Sequence, residues 1–440
     1  MRCYSNECYI YETKSGKIVN EDNLEALKEL EDNSVDSCIS DFPYAIEFMG
    51  KNWDSAKCWN KLTEGQRSFK GTGYDGKVRP KFSRNTLSDS SIFYSWCKER
   101  SDVLINKMKP GGYAAIFGHP KMNHRMKCAF EDSGFLIVEE IDWIYLSGMP
   151  KSQDIGKMFD ASGNPDLAKV YKDWKTAGLK PAHEIITIFQ KPLDGTYIQN
   201  IEKYGVGAMN IGACRVPISK EDIDMLNAKA SKNPTTNYSD KDDKIYGKYA
   251  LDMAVPANPD GRFPPNIVID EEISKAIDAQ TGISKSSCGS GIASTSNRAR
   301  HIYGAYNNEI NEHYHNDSLG GYGDVGGGSR LFPIFQYCPK VSPSERLLKN
   351  GERNPHVTLK PVDLIKWLIK LITPVNGFTI DITAGSCTHA VACEILNIEN
   401  GYDLKYLDIE LCNDEENPYC DVGKQRVEDV VNTIRNKKLF

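Results

Sequence analysis

The 440-residue sequence has no Cys-x-x-Cys pair and no cysteine–histidine cluster at zinc spacing, although thirteen cysteines run from Cys3 to Cys420. Their scatter reads as buried, reduced thiols. The run His313-Tyr314-His315 sits in a polar, Gly-rich stretch without thiol or carboxyl partners at useful spacing, so no metal is expected. No apolar stretch approaches the roughly 20 residues that cross a bilayer, and the N-terminus shows no apolar leader. The expected location is therefore the cytoplasm. Nor is there an excess of positive charge: 54 Lys and Arg against 60 Asp and Glu leave a net charge of -6. That removes any general attraction to a polyanion, so nucleic-acid contacts would have to come from a local basic surface. No internal repeat is present.

What is present is an alternation of strand and helix patterns in two separated stretches. Residues 1–192 read as strand Lys17–Val19, helix Asn23–Leu30 with Asn23 as its cap, and strand Ser34–Ser40 running into Asp41. The turn Lys109–Gly112 precedes strand Tyr113–Phe117, followed by helix Pro120–Asp132 and strands Phe135–Tyr145 and Ile185–Phe189. Residues 193–330 are rich in Asn, Ser, Gly and Asp with weak periodicity, as in a loop-built, variable recognition region. Residues 331–440 return to alternation: helix Pro361–Leu371, strand Gly377–Ile380, helix Thr388–Leu396, strand Leu404–Ile409 and helix Val422–Arg435. Such alternation predicts an α/β fold with a parallel sheet covered on both faces.

Two segments carry the chemistry, and both follow strands, where open α/β sheets place their sites. Asp41-Phe42-Pro43-Tyr44 offers an acceptor, a stiffened backbone and a flat ring. This set suits a planar ligand with an exocyclic amine: Asp41 and a backbone carbonyl accept from the amine while the ring of Tyr44 stacks. An ordinary strand-end turn would use the same residue types. Asp381-Ile382-Thr383-Ala384-Gly385-Ser386-Cys387-Thr388 joins a strand to a helix with small residues that let a cofactor approach the backbone. Glu410, ending the next strand, stands where an acidic residue holds ribose hydroxyls. A tight turn and a surface glutamate would look alike.

Taken together, the two segments resemble a family. Asp41-Phe42-Pro43-Tyr44 is similar to the Asp-Pro-Pro-Tyr motif of DNA amino-methyltransferases, and its continuation from Ala45 to Asp54 looks like phage and bacterial members. Further matching stretches follow in one order: Asn20–Asn23, Lys109–Gly112, Ser147–Ser152, Lys180–Glu184 with Gln190–Pro192, Tyr204–Arg215, Gly261–Asn266, Tyr337–Lys340 with Ser344–Arg346, and His356–Pro361. The catalytic motif precedes the cofactor loop, which is the order of the permuted class called β.

The resemblance implies a seven-stranded, Rossmann-like sheet, S-adenosyl-L-methionine as cofactor and double-stranded DNA as substrate, with adenine N6 favoured over cytosine N4. It implies catalysis by Asp41, Phe42, Pro43 and Tyr44. Cofactor contacts would come from Asp381, Thr383, Ala384, Gly385, Ser386 and Thr388, with Asp22 near the adenine and Glu410 on the ribose. Thr358, Lys360 and Pro361 would lie toward the methionine end. A homodimer and a companion restriction endonuclease also belong to that picture. Two basic groups are candidate phosphate contacts: Lys121, His124, Arg125 and Lys127, and Arg298, Arg300 and His301.

The chain departs from the family pattern at Phe42, where Pro is usual, and at Ile382, Thr383 and Cys387, which replace Pro, Phe and Gly. Cys387 would place a side chain where bare backbone is expected beside the cofactor. Three readings follow: an active enzyme that tolerates these residues, a catalytically decayed relative that binds DNA or a protein partner, and an enzyme retuned for another cofactor or acceptor.

Overall fold

In a computed structural model of the chain, the described residues are 9–46, 54, 70–72, 78–80, 86–146, 148, 150, 152–230, 258–285, 325–335, 351, 354–356, 358–412 and 418–437. They fall into two units. One comprises Met1–Cys214, Asn266–Glu272 and Ile334–Phe440; the other comprises Arg215–Pro265 and Ile273–Pro333.

The first unit is built on one sheet. Its strands are β1 (Tyr9–Glu12), β2 (Gly16–Asn20), β3 (Val35–Asp41), β4 (Met108–Gly118), β5 (Leu136–Ile144), β6 (His183–Gln190), β7 (Ile267–Ile269), β8 (Phe378–Asp381) and β9 (Lys405–Glu410). They lie in the order β1-β2-β9-β8-β3-β4-β6-β5-β7. From β2 to β4 every neighbour is parallel. The sheet thus exceeds the seven strands expected, through the short edge strands β1 and β7, and it is not all parallel. β1 runs antiparallel to β2, and β6 runs antiparallel to both β4 and β5. An antiparallel partner needs no crossover helix packed on the sheet, and the chain between β5 and β6 forms two short helices, α4 (Ile155–Ala161) and α5 (Pro165–Val170), with few buried side chains.

Period-two alternation along the central strands feeds two cores. Ala114 and Ile116 of β4, with Cys38 of β3, face α1 (Asn23–Lys28), α2 (Thr86–Lys107) and α3 (Asn123–Asp132). Ala115 and Phe117, with Ile39, face α8 (Val362–Ile372), α9 (Thr388–Asn400) and α10 (Tyr419–Lys437). α8 places Leu364, Ile365, Leu368, Ile369 and Leu371 in that core, a helical spacing on one face. Each contributes about 1.5–3 kcal/mol by burial, and Leu368→Ala alone would cost about 2–5 kcal/mol.

Several local expectations change. The predicted turn at Lys109–Gly112 lies within β4, as an irregularity where the pairing jumps from Val35–Met108 to Ser37–Tyr113. Gly111 has φ +80 there, a conformation that suits glycine. The cap of α1 is Asp22, whose side chain accepts from Leu24 N–H, rather than Asn23. The stretch predicted as loop-built contains α6 (Tyr197–Tyr204), closed by a capping box of Thr196 and Gln199, and α7 (Lys220–Ala230).

In the second unit, Val216 and Arg262 form an isolated bridge, Arg262 pairs with Asp222 at 3.3 Å, and Asp278 accepts from the backbone and hydroxyl of Ser329. Among the described residues no helix is long and apolar enough to cross a membrane. His313–His315, Arg298, Arg300, His301 and the stretches Tyr337–Lys340 and Ser344–Arg346 lie outside the described residues.

Candidate active site

Four adjacent parallel strands, β9, β8, β3 and β4, end on the same edge of the sheet. Their carboxyl ends carry Glu410, Asp381, Asp41 and Phe117. Around them opens a cavity of about 1200 Å³ lined by all four, and also by Tyr44, His119, Glu184, His356, Lys360 and Tyr419. The Asp41 tip and the Asp381 turn, distant in the chain, therefore share one cleft. Pocket volumes for single ligands run to about 1,000 Å³, so this one has room for a cofactor and an acceptor together.

At the acceptor end, Tyr44 Oη donates to Asp41 Oδ1 at 2.8 Å. Lys360 Nζ reaches Asp41 Oδ2 at 2.8 Å, Glu184 Oε2 at 2.9 Å and Tyr44 Oη at 3.4 Å. Burial works to lower the Lys360 pKa, but the two carboxyls overcome it and hold the ammonium above its ordinary value. Burial likewise pushes the Asp41 carboxyl upward, against the pull of Lys360. The turn is set by Asp54, which is 1% exposed and accepts from the N–H groups of Tyr44, Ala45 and Ile46 at 2.5, 2.8 and 3.3 Å. These bonds hold Ala45 at φ +56, a conformation costly for a residue with a Cβ. Phe42 lines the cleft but buries its ring in the core, edge-on to Trp96 at 5.2 Å and near Phe130 at 6.0 Å. The missing proline is thus replaced by an aromatic anchor in the core beside α2 and α3.

At the cofactor end, Ser40 Oγ donates to Asp381 Oδ1 at 2.6 Å, and Thr383 N–H donates to the same oxygen at 3.0 Å. Thr383 Oγ1 donates to the Asp41 carbonyl at 2.9 Å, tying the two segments together. Gly385 N–H donates to Glu410 Oε2 at 2.7 Å. Gly385 has φ +51, and a Cβ there would fall 2.5 Å from His356 Nε2, so glycine is required. Burial, helped by the Asp408 charge, pushes Asp381 up to about 7; burial also pushes Glu410 up to about 8. Arg426 holds the turn from below, donating to Ser386 O at 2.5 Å and to Thr388 Oγ1 at 3.0 Å.

Cys387 has φ +57 and caps α9 without a side-chain bond. It is fully buried and is not part of the cavity wall. Its sulfur occupies the space that a Cβ on Gly423 of α10 would need. The expectation that Cys387 intrudes beside a cofactor is thereby overturned: the side chain points into the helix layer, where a glycine makes room.

All of Asp41, Phe42, Pro43, Tyr44, Thr358, Lys360, Asp381, Thr383, Ala384, Gly385, Ser386, Thr388 and Glu410 line the cavity; Asp22 and Pro361 do not. Asp22 lies instead at the α1 cap, 3.8 Å from Arg100. Lys360 lines the same cavity as the Asp381–Thr388 turn and contacts Asp41, Glu184 and Tyr44. Glu184, Asp54, His119 and Tyr419 went unnoticed as site residues. Glu184 and Asp54 had a signal, since each ends a stretch that resembles the family, Lys180–Glu184 and Ala45–Asp54.

The DNA methylase family of N6/N4 type matches residues 35–421 of this chain. The type II methyltransferase M.HindIII of Haemophilus influenzae is 28% identical over 201 residues, spanning 44% of this chain and 64% of its own length. Among solved structures, the cytosine-N4-specific PvuII DNA methyltransferase is 12% identical, with 96% of this chain and 94% of that one covered at a TM-score of 0.41. The M1.HpyAVI–SAM complex is 13% identical, with 93% and 99% covered at a TM-score of 0.36. With a match that runs over nearly the whole chain and embraces both segments of the cleft, the protein belongs to the N6/N4 DNA methylase family.

Proposed function

We propose that this protein methylates the exocyclic amine of a base flipped out of double-stranded DNA, adenine N6 in preference to cytosine N4, with S-adenosyl-L-methionine as methyl donor. The observation that carries the reading is the shared cavity at the ends of β3 and β8, with Asp41 and Tyr44 at one side and the Asp381–Thr388 turn at the other. The order of these segments supports the permuted class, and an initial Asp rather than Ser supports adenine.

The cofactor end fits the donor. Two carboxyls, the buried Asp381 and the half-buried Glu410, bind protons more tightly than usual and have no Lys or Arg partner among the described residues. A cationic ligand bearing hydroxyls would supply that compensation. Glu410 and the Gly385 backbone would meet the ribose, and Asp381, Thr383, Ser386 and Thr388 the remainder. When bound, S-adenosyl-L-methionine supplies a methyl group activated on a sulfonium.

The chain's own groups orient the acceptor. Asp41 and the backbone carbonyl of Phe42 accept from the amine, withdrawing it toward the cleft floor, while Tyr44 offers its ring to the base face. Before a base arrives, the Lys360 ammonium satisfies Asp41 and Glu184. The incoming amine takes over the bond to Asp41, and Glu184 retains Lys360. Asp41 is placed to accept the proton that the amine sheds on methylation. Rate acceleration comes from positioning and preorganised acceptors.

A decayed relative would require the departing residues to obstruct the cleft. The Phe42 ring is packed against Trp96 and Phe130, Cys387 is not part of the cavity wall, and Thr383 braces the cleft. Incubation with methyl-labelled cofactor and mixed unmethylated duplex DNA, followed by nucleoside mass spectrometry, tests the reading. Labelled N6-methyladenine is expected. Labelled N4-methylcytosine would move the target base, and no labelled nucleoside would overturn the activity.

A further inference from the structure

We propose that Leu179 is a wedge that enters a DNA duplex beside the target base and occupies the slot left when that base moves into the Asp41–Tyr44 pocket. The proposal rests on the functional reading above. Leu179 is 94% exposed, more than any other large apolar side chain among the described residues, yet it lines the same cavity as Asp41 and Tyr44. A lone exposed leucine ordinarily needs no explanation. This one differs in being held over the mouth of a cleft by a loop fastened at both ends.

On the entry side, Thr176 N–H donates to Gln153 O at 2.9 Å, Gln153 N–H donates to Thr176 Oγ1 at 2.8 Å, and Lys175 pairs with Asp154. On the exit side, Tyr145 N–H donates to Ala182 O at 2.9 Å. There Gly148 lies so close to the Pro181 carbonyl that any Cβ would collide with it. Between these fastenings the tip is open. Gly178 has φ +141 with no atom within 4 Å of the place a Cβ would take. A narrow tip on a fixed base can penetrate where a broad surface cannot.

Charge at the rim indicates what it penetrates. Lys180 follows Leu179 directly, and Lys121 stands at the same cavity's rim after β4; both are exposed and both line the cleft. Two exposed cations on the rim that carries the apolar tip suit the phosphates on either side of a stack of bases. Apolar side chains of this kind separate base steps. Filling the vacated slot offsets part of the cost of unpairing and unstacking the base. A protein partner would have no need of the adjoining base-sized pocket.

The test uses the full chain and a duplex oligonucleotide carrying the site at which the wild-type protein methylates, identified by sequencing its product DNA. Two versions are compared: one with the target base paired, one with an abasic position opposite it. Single-turnover methyl transfer by Leu179→Ala should fall about tenfold or more on the paired duplex and by less than about threefold on the abasic one, where little unpairing cost remains. Calorimetric binding of S-adenosyl-L-methionine, expected to be unchanged, controls for folding. Equal losses on both duplexes, or no loss on either, would overturn the wedge while leaving the methyltransferase reading intact. A wild-type protein that methylates no DNA would overturn that reading, and the wedge with it.

Discussion

The two ends of the cleft solve the problem of buried carboxyls in opposite ways. At the acceptor end, Asp41 and Glu184 share one buried ammonium, and the site is neutralised by its own residues. At the cofactor end, Asp381 and Glu410 have hydrogen bonds but no ammonium or guanidinium partner among the described residues, and their affinities for protons rise accordingly. The difference teaches that the carboxyls at the Asp41 end are neutralised by the chain itself, whereas those at the Asp381 end are left for the proposed cationic cofactor to compensate. The residues that depart from the family pattern leave this contrast intact. Both Phe42 and Cys387 spend their side chains on the helix layers, leaving the polar groups that face the cleft in place.

The comparison can be broken at several points. Asp41→Ala removes the amine acceptor and should lower methyl transfer about a thousandfold or more, with cofactor affinity by calorimetry almost unchanged. Comparable activity in the variant would remove Asp41 from the chemistry. Lys360→Met leaves two half-buried carboxyls without their cation and should cost about 3 kcal/mol, the low end for breaking a buried pair, in urea unfolding. Near-wild-type stability would show that the acceptor end is not self-neutralised.

The cofactor end should show itself in pH dependence. Asp381 and Glu410 titrate at 3.8 and 4.5 when unperturbed, but at about 7 and about 8 in the fold. Between those limits the folded chain binds more protons than the unfolded one, so stability falls as pH rises from about 4 to about 8. Melting temperatures of the cofactor-free protein should decline across this window, and saturating S-adenosyl-L-methionine should flatten the decline. An identical slope with and without it would contradict the cation-completed site. Glu410→Gln should weaken cofactor binding by about 10- to 100-fold, the worth of a charged hydrogen bond, while DNA binding by anisotropy stays level. The smallest effect concerns the helix layer. Gly423→Ala should destabilise by about 1–3 kcal/mol through its clash with the Cys387 sulfur, and adding Cys387→Gly should restore most of the loss. If the double variant is no better than Gly423→Ala, the two positions do not compensate one another.

Much of this arrangement was legible because the strand patterns end in chemical residues. The run from Val35 to Ser40 ends at Asp41, and Thr379 and Ile380 end at Asp381, each as a strand delivering its site. Other elements were hidden for identifiable reasons. α2 buries Ser90, Phe93, Cys97, Arg100, Ser101 and Leu104, so three polar residues interrupt its apolar period. Arg100 lies there because Asn23 accepts from its Nε at 2.9 Å and Trp96 stacks beneath it. Asn23 in turn donates to the Ile382 carbonyl at 2.9 Å, a long-range bond that no local cap pattern shows. The pairing of Glu184 with Lys360 depends on β6 running antiparallel beside β4, which spacing along the chain does not reveal. Residue type marked Cys387 as an intruder, but only its backbone angle and the bare Gly423 show where its sulfur goes.

The adjacency of β3 and β8 also has a consequence in time. Ser40 and Asp381 are 341 positions apart, yet they are hydrogen-bonded neighbours in the finished sheet. A ribosome adding roughly 5–20 residues per second needs tens of seconds to travel from one to the other. Until then β3 has no β8 to pair with, and such long-range pairing is slow to nucleate even once both strands exist. A nascent chain therefore carries Asp41 and Tyr44 long before Lys360 and the Asp381–Thr388 turn are synthesised, so the cleft cannot assemble until translation has almost run its course.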